Sequence, residues 1–276
     1  MLVNLRDMVD KAAKNNYAVA GFNVYGYEDA TAVIKAAEEM DAPVILMANK
    51  DAVEHMPVEI LANIFCPLAE EADVPVCVKL DHAKDYFLAV RAIKSGFTSV
   101  MYDGSQLLLK ENIKNTQEIV KLAHSVGVAV EAEIGSVGYN DSTIEAEEIY
   151  TDPEEAKIFA EKTNVDALAV AVGTLHRMKK QGAEIQYDRL VEIEKLVDTP
   201  LVIHGSSGVT DEDLSKLATT QVGKVNIGTA LRMAFGNTLK AEVEENPEEF
   251  DRIKWFKKPM EAVTEATKEK LRILGF

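Results

Sequence analysis

Short apolar runs rich in valine, isoleucine and alanine alternate with helical patterns from one end of this chain to the other, and that rhythm constrains the fold more than any other feature. Strands are predicted at 19–24, 43–47, 75–80, 98–102, 127–134, 166–172, 200–204 and 223–227. The runs are nearly continuous in apolar residues, as expected where both faces of a parallel sheet are covered. Helices are predicted between them at 28–40, 57–71, 85–94, 108–125, 153–162, 187–196, 211–219 and 230–245. Thr151-Asp152-Pro153-Glu154 carries helix-start chemistry, with proline at the first turn and acids at the positive dipole end. Eight βα units in series are the pattern of an α/β fold of the (β/α)8 TIM-barrel type. Such a barrel needs about 250 residues, so 276 residues suffice for a single domain with a C-terminal helical extension, 246–276, whose helix is expected at 259–274. A doubly wound sheet is the alternative. It normally carries a glycine fingerprint after the first strand, and Val24-Tyr25-Gly26-Tyr27 has none.

In a barrel, chemistry collects at the carboxyl ends of the strands. Here those ends read Asn23, Asp81-His82, Asp103 with Ser105, Glu131 with Glu133, His176, His204 and Asn226. Three of the five histidines, His82, His176 and His204, follow separate apolar runs. Each alone reads as a loop residue or a satisfied core histidine. Three together suggest one metal site, and three imidazoles with an open position form a catalytic zinc arrangement. His55 lies among polar residues near a helix start and His124 late in a helix, and both read as structural or surface residues. Glu131 and Glu133 are two apart on a strand, so they share a face, and Glu133 is a fourth candidate ligand with Glu131 available to orient it.

Two glycine turns follow the last two strands, Gly205-Ser206-Ser207-Gly208 and Asn226-Ile227-Gly228-Thr229. Loops at those two places commonly cradle phosphate through amides and hydroxyls. Two longer loops, 135–150 and 177–186, are candidate lids, and the acids at 145–148 read as a solvated face. The formal net charge of −16 argues against nucleic acid or an anionic membrane as partner. It leaves a phosphorylated substrate open, because amides bind phosphate locally. Cys66 and Cys77 show no metal or redox spacing and suit a reducing cytoplasm. Residues 1–16 lack the apolar core of a signal peptide, and no run has the length of a membrane span.

These motifs, in this order, resemble the class II, zinc-dependent ketose-bisphosphate aldolases, which include the fructose- and tagatose-bisphosphate aldolases. The matching segments are Phe22-Asn23-Val24, Leu80-Asp81-His82, 99–105, 130–138, 150–155, 166–176, 204–208 and 226–229. The resemblance implies reversible aldol cleavage of a phosphorylated ketose to dihydroxyacetone phosphate and an aldehyde. It implies that His82, His176 and His204 ligate zinc, with Glu133 contacting metal. Asp81 would exchange a proton with the oxygen at the cleaved bond, and Asn226 would lie near the enediolate. Ser207 and Thr229, with the amides around Gly205 and Gly228, would hold the phosphate, while Asp103, Ser105 and Asn23 would contact substrate. A loop acid returns the last proton in the family, and Asp141 stands there, one methylene shorter than the usual glutamate. The resemblance also implies a monovalent cation near the phosphate, a homodimer or homotetramer, and a cytoplasmic, glycolysis-like role.

The sequence departs from the family at substrate-facing positions. Arg177 replaces a glycine after the second zinc histidine and can bind an anion directly. Lys79 replaces a frequent histidine, Met47-Ala48-Asn49-Lys50 replaces a serine-containing turn, Tyr139 a small residue and Gly228 a polar one. Two alternatives are therefore a different ketose phosphate as substrate and a non-catalytic partner subunit of an aldolase. A zinc-hydroxide barrel hydrolase would need paired histidines on the first strand, and 19–24 contains none.

Overall fold

The computed structural model describes residues 1–139, 148–178 and 180–276. In chain order the elements are β1 (Leu2–Val3), α1 (Leu5–Ala13), β2 (Val19–Asn23), α2 (Tyr27–Glu39), β3 (Val44–Ala48), α3 (Lys50–His55), α4 (Val58–Glu71), β4 (Val76–Ala83), α5 (Tyr86–Ser95), β5 (Ser99–Tyr102), α6 (Leu109–His124) and β6 (Ala129–Ile134). They continue with β7 (Gly138–Tyr139), α7 (Pro153–Thr163), β8 (Ala167–Val170), β9 (Leu175–His176), α8 (Tyr187–Leu196), β10 (Leu201–Ile203), a 3-10 turn (Ser206–Gly208), α9 (Asp211–Leu217), β11 (Val222–Ile227), α10 (Thr229–Glu245) and α11 (Arg252–Ile273).

Eight parallel strands close on themselves in the order β2-β3-β4-β5-β6-β8-β10-β11 and back to β2. This is the (β/α)8 barrel that the apolar rhythm predicts. Outward residues such as Phe22, Leu46, Val78 and Val130 meet the surrounding helices in one continuous core. Inward residues tell a different story. Near the amino-terminal end Val19, Ile45, Cys77, Ala129, Ala167 and Val202 form a second apolar cluster with Leu5, Met8, Val9 and Ala12 of α1. Helix α1 therefore plugs the bottom of the barrel. Further up three of the strands, on the same face, the interior turns polar: Cys77 gives way to Lys79 and Asp81, Ala129 to Glu131 and Glu133, and Val202 to His204.

The helices stand where the periodicity puts them, with ends set by local chemistry. Asp152 accepts hydrogen bonds from the amides of Glu154 and Glu155 and starts α7 at Pro153. Asp85 does the same for α5, which ends at Gly96 in the left-handed region. The C-terminal helix departs from expectation. It begins at Arg252 rather than 259, because Asp251 caps it and Pro259 lies inside it, costing one backbone donor without ending it. Its apolar face packs on α2 and α10. His55 closes α3, an element the periodicity does not predict, and lies just before α4 begins at Val58. His124 does lie late in a helix, where its Nε2 meets Asp166 at 2.8 Å.

Candidate metal centre and its cavity

Two histidines reach the barrel mouth by routes the strand pattern does not show. Strand β4 continues past Leu80 instead of ending there, and its ladder with β5 slips between Leu80 and Ala83. Asp81 and His82 together face one residue of β5, and His82 takes a left-handed conformation at φ 53°. A bulge of this kind re-aims a side chain. Simple alternation would send Asp81 and His82 to opposite faces; here both serve the mouth. His176 corrects a second expectation. The strand expected at 166–172 is shorter, β8 stopping at Val170, and His176 does not simply follow it but lies on the separate ribbon β9, paired with β7. Gly205 supports that ribbon. At φ 65°, a Cβ there would lie 2.7 Å from the carbonyl carbon of Leu175, so only glycine admits this approach.

The three imidazoles meet. Ring centroids lie 4.6 Å apart for His82 and His204, 5.4 Å for His82 and His176, and 6.0 Å for His176 and His204. One nitrogen from each falls within 4.8 Å of the others. Glu133 Oε2 lies 3.3 Å from His204 Nδ1 and 3.9 Å from His82 Nδ1. His82 Nε2, His204 Nδ1 and Glu133 Oε2 are buried, and none has a hydrogen-bond partner. Leaving such atoms unpaired costs about 1–3 kcal/mol each. Unpaired imidazole nitrogens and an unpaired carboxylate oxygen gathered in one buried cluster suit a divalent cation. The donor set therefore fits a metal ion held by His82, His176 and His204, with Glu133 in reach.

Hydrogen bonds behind the imidazoles fix their orientation. Asp103 Oδ2 lies 2.9 Å from His82 Nδ1, and Glu131 Oε1 lies 3.0 Å from His204 Nε2. Ser105 donates to Asp103 at 2.6 Å and does not line the cavity, so it supports Asp103 rather than facing a substrate. Burial pulls the His82 imidazole down, but Asp81, Asp103 and Glu133 outweigh it and push it up to about 9. Burial and the nearby charges of His82 and His204 hold His176 well below its ordinary value.

Beneath the imidazoles lies an ion network that the sequence reading did not assemble. Lys79 and Lys224 are both fully buried. Lys79 Nζ donates to Asp81 Oδ1 at 2.8 Å and lies 3.3 Å from Glu131 Oε1. Lys224 Nζ donates to Glu131 Oε2 at 2.8 Å. Gly21 leaves the room they need: a Cβ there would meet Lys224 Cε at 3.0 Å and Met47 Sδ at 2.8 Å. Burial opposes the charge on Asp81, but Lys79, His82 and Lys224 hold it well below the usual carboxylate range. The Asp81 carboxylate also accepts from Asn23 Nδ2 at 3.1 Å and Asn226 Nδ2 at 3.4 Å. The signal available in the sequence was the phase of the strands. Lys79 and Lys224 occupy inward positions, where a charged residue must find a buried partner.

A cavity of 890 Å³ opens above this site. Its walls include Asn23, Asp81, His82, Asp103, His176 and Arg177. Gly205, Ser207, Asn226, Gly228 and Thr229 complete the side over β10 and β11. Ser207 Oγ accepts from the Met178 amide at 2.9 Å, which ties the loop after β9 to the 3-10 turn. Thr229 opens the seventeen-residue helix α10, and Thr229 and Ala230 line the cavity, so the positive end of the helix lies at its wall, a polarity that favours an anion. Asp141 lies outside the described residues. Asp51 and Arg232 also line the cavity and were not singled out from the sequence.

The family described as fructose-bisphosphate aldolase class-II matches residues 3–276. A fructose-bisphosphate aldolase from Thermus caldophilus is 37% identical over 301 aligned residues, covering 100% of this chain and 98% of that protein. A sulfofructosephosphate aldolase from Alkalicoccus urumqiensis is 34% identical over 273 residues, 98% of this chain and 95% of that one. Among solved structures, the YdjI aldolase from Escherichia coli K12 superposes with a TM-score of 0.86 at 32% identity, covering 100% of this chain and 98% of that one.

Proposed function

Since this chain belongs to the class II fructose-bisphosphate aldolase family, we propose that it is a zinc-dependent aldolase. In this reading it reversibly cleaves a phosphorylated ketose into dihydroxyacetone phosphate and an aldehyde. The observation that carries the reading is the clustering of His82, His176 and His204 within ligand distance of one another, with buried unpaired atoms on His82, His204 and Glu133, beside the Asp81 carboxylate. A divalent ion bound there supplies Lewis acidity to a ketone oxygen.

The chain's own residues do the rest. Asp81 is held as a carboxylate by Lys79 and is turned into the cavity beside His82, so it takes the hydroxyl proton from the carbon that becomes the aldehyde. Asn226 Oδ1 is buried without a partner, while its Nδ2 faces Asp81. That leaves the amide placed to hold a substrate hydroxyl on one side and Asp81 on the other. The amides and hydroxyls of Gly205, Ser207, Gly228 and Thr229 suit the phosphate of dihydroxyacetone phosphate, at the start of the 3-10 turn and of α10. The final proton return is assigned to Asp141. The two aldolase relatives are named for substrates that differ beyond the ketose core, one a bisphosphate and one a sulfo-phosphate, so the far end of the substrate is the open variable.

The test is a coupled cleavage assay over stereoisomeric ketose phosphates, run before and after chelation and after zinc is restored. Turnover that disappears on chelation and returns with zinc is expected. Full activity in metal-free protein would overturn the metal assignment, and stoichiometric zinc without turnover on any ketose phosphate would overturn the aldolase reading.

A further inference from the structure

Glu133 stands in reach of the histidine cluster, yet only one of its carboxylate oxygens is left for an ion. Oε1 accepts a hydrogen bond from the Val137 amide at 3.0 Å. Oε2 is buried without a hydrogen-bond partner, 3.3 Å from His204 Nδ1. The two oxygens of one side chain thus serve a backbone turn and the candidate metal centre at once.

That turn has two anchors of different kinds. It bends through Gly135 at φ 73°, where a Cβ would lie 2.5 Å from Thr151 Oγ1 and 2.7 Å from the Ile149 carbonyl oxygen. On this side Ser136 and Ile149 exchange both backbone hydrogen bonds, at 2.7 Å and 2.9 Å. Thr151 Oγ1 adds a bond to the Ile134 carbonyl at 2.6 Å and accepts from the Ala171 amide at 2.8 Å. None of these bonds involves a candidate metal ligand. The anchor one residue further on does, because the Val137 amide is held by Glu133.

Val137 leads directly into β7, whose Gly138 and Tyr139 pair with Leu175 and His176 of β9. A path of bonds therefore runs from Glu133 through Val137 and β7 to His176. Both ends belong to the donor set described above, so an ion held by that set closes the path into a ring. Closure matters because each strand of the ribbon has two residues, too few to hold a pairing without outside support. The Glu133 side chain turns about three torsions. An ion on Oε2 fixes the carboxylate plane and so keeps Oε1 on the amide.

We propose that Glu133 is a positioning residue that couples metal occupancy to the β7–β9 ribbon: Oε2 is the atom left to the ion, Oε1 holds Val137, and His176 is set in place through the paired strands. The proposal rests on the metal-centre part of the aldolase reading and is tested without turnover.

The experiment is residue-resolved hydrogen exchange by NMR on the full chain, metal-free and zinc-loaded, for the parent, Glu133→Gln and Glu133→Ala. Glutamine keeps an acceptor for the Val137 amide but brings no carboxylate oxygen to the ion, whereas alanine removes both. In the parent, zinc should slow exchange at Val137 by about tenfold or more, while Ser136, bonded to Ile149, changes little. Without metal, Val137 should exchange alike in the parent and Glu133→Gln and faster in Glu133→Ala. In Glu133→Gln the slowing by zinc at Val137 should fall to about twofold or less. Chelator competition gives a second readout. Zinc affinity should drop about tenfold in Glu133→Gln and further in Glu133→Ala, since only alanine also frees the ribbon. Glu133→Gln, close to the parent in shape, carries the test if Glu133→Ala does not fold. Zinc bound stoichiometrically with Val137 unchanged, or with Ser136 slowed by the same factor, would overturn the coupling and leave the metal reading standing. So would a slowing by zinc in Glu133→Gln equal to the parent's. A parent that binds no zinc would overturn the metal reading itself, and the coupling with it.

Discussion

Asp81 and His82 are neighbours in sequence with separate tasks, and substitutions should separate them. Asp81→Asn keeps the shape and the contacts to Asn23 but removes the base. Its kcat should fall by about 10²- to 10⁴-fold with bound metal unchanged, as read by elemental analysis. His82 gives a pH dependence with a definite sign. Its folded value of about 9 lies above the ordinary 6.5, so in metal-free protein the imidazolium stabilises the fold. That contribution is full below pH 6.5 and is lost as pH rises to about 9. Metal binding runs the opposite way, because the ion must displace the proton. Apparent zinc affinity should rise about tenfold per pH unit across this window and flatten above it. Chelator competition at several pH values checks this, and a flat profile would contradict the protonated state. At this scale the sequence was informative where chemistry is local to a motif, as at Asp81-His82 and His204. It was blind where function depends on a partner far along the chain. Asp51 looks like an ordinary first-turn helix acid until its contact with Arg177, 126 residues away, is seen.

Among the elements, β9 holds His176, and Gly205 makes its position possible. Gly205→Ala would place a methyl against the Leu175 carbonyl in a backbone region that alanine resists. The strain, about 1–3 kcal/mol, should push the ribbon outward. Weaker zinc binding is expected with circular dichroism close to the parent's; an unchanged zinc affinity would show that the ribbon position is not set there. The eight barrel strands were legible because both of their faces are buried. The two-residue strands β1, β7 and β9 were not, since two residues carry no period. The same shortness hid α3, six residues long. The slip in β4 was hidden for another reason: a bulge depends on what the neighbouring strand presents, which one strand's own residues do not reveal.

Across the whole molecule, the barrel interior is layered, apolar and plugged by α1 below, ionic in the middle and ligand-bearing at the mouth. The ionic layer is balanced. Lys79 and Lys224 sit between Asp81 and Glu131, so removing one member leaves the others overcharged in a place without water. Lys79→Met should destabilise the protein by about 3–5 kcal/mol, measured by urea unfolding. The lower end is expected, because Glu131 keeps Lys224 and His204. A stability loss below about 1 kcal/mol would mean that the layer relaxes by admitting solvent. The architecture was readable from rhythm alone. The layer was not, because strand phase says which way a lysine points but not which carboxylate waits there.

That middle layer has one more consequence. Lys224 is pulled down to about 8 by burial and by Lys79 in spite of Glu131, close to the range in which an amine condenses with a ketone. Yet both amines are sealed beneath the mouth and locked on carboxylates. The fold thus contains the reagent for the other known route to aldol chemistry and denies it access. Borohydride added with substrate should trap no covalent adduct on either lysine, as mass spectrometry would show. On the proposed metal-dependent reading, loss of the ion from the histidines leaves no lysine in reserve.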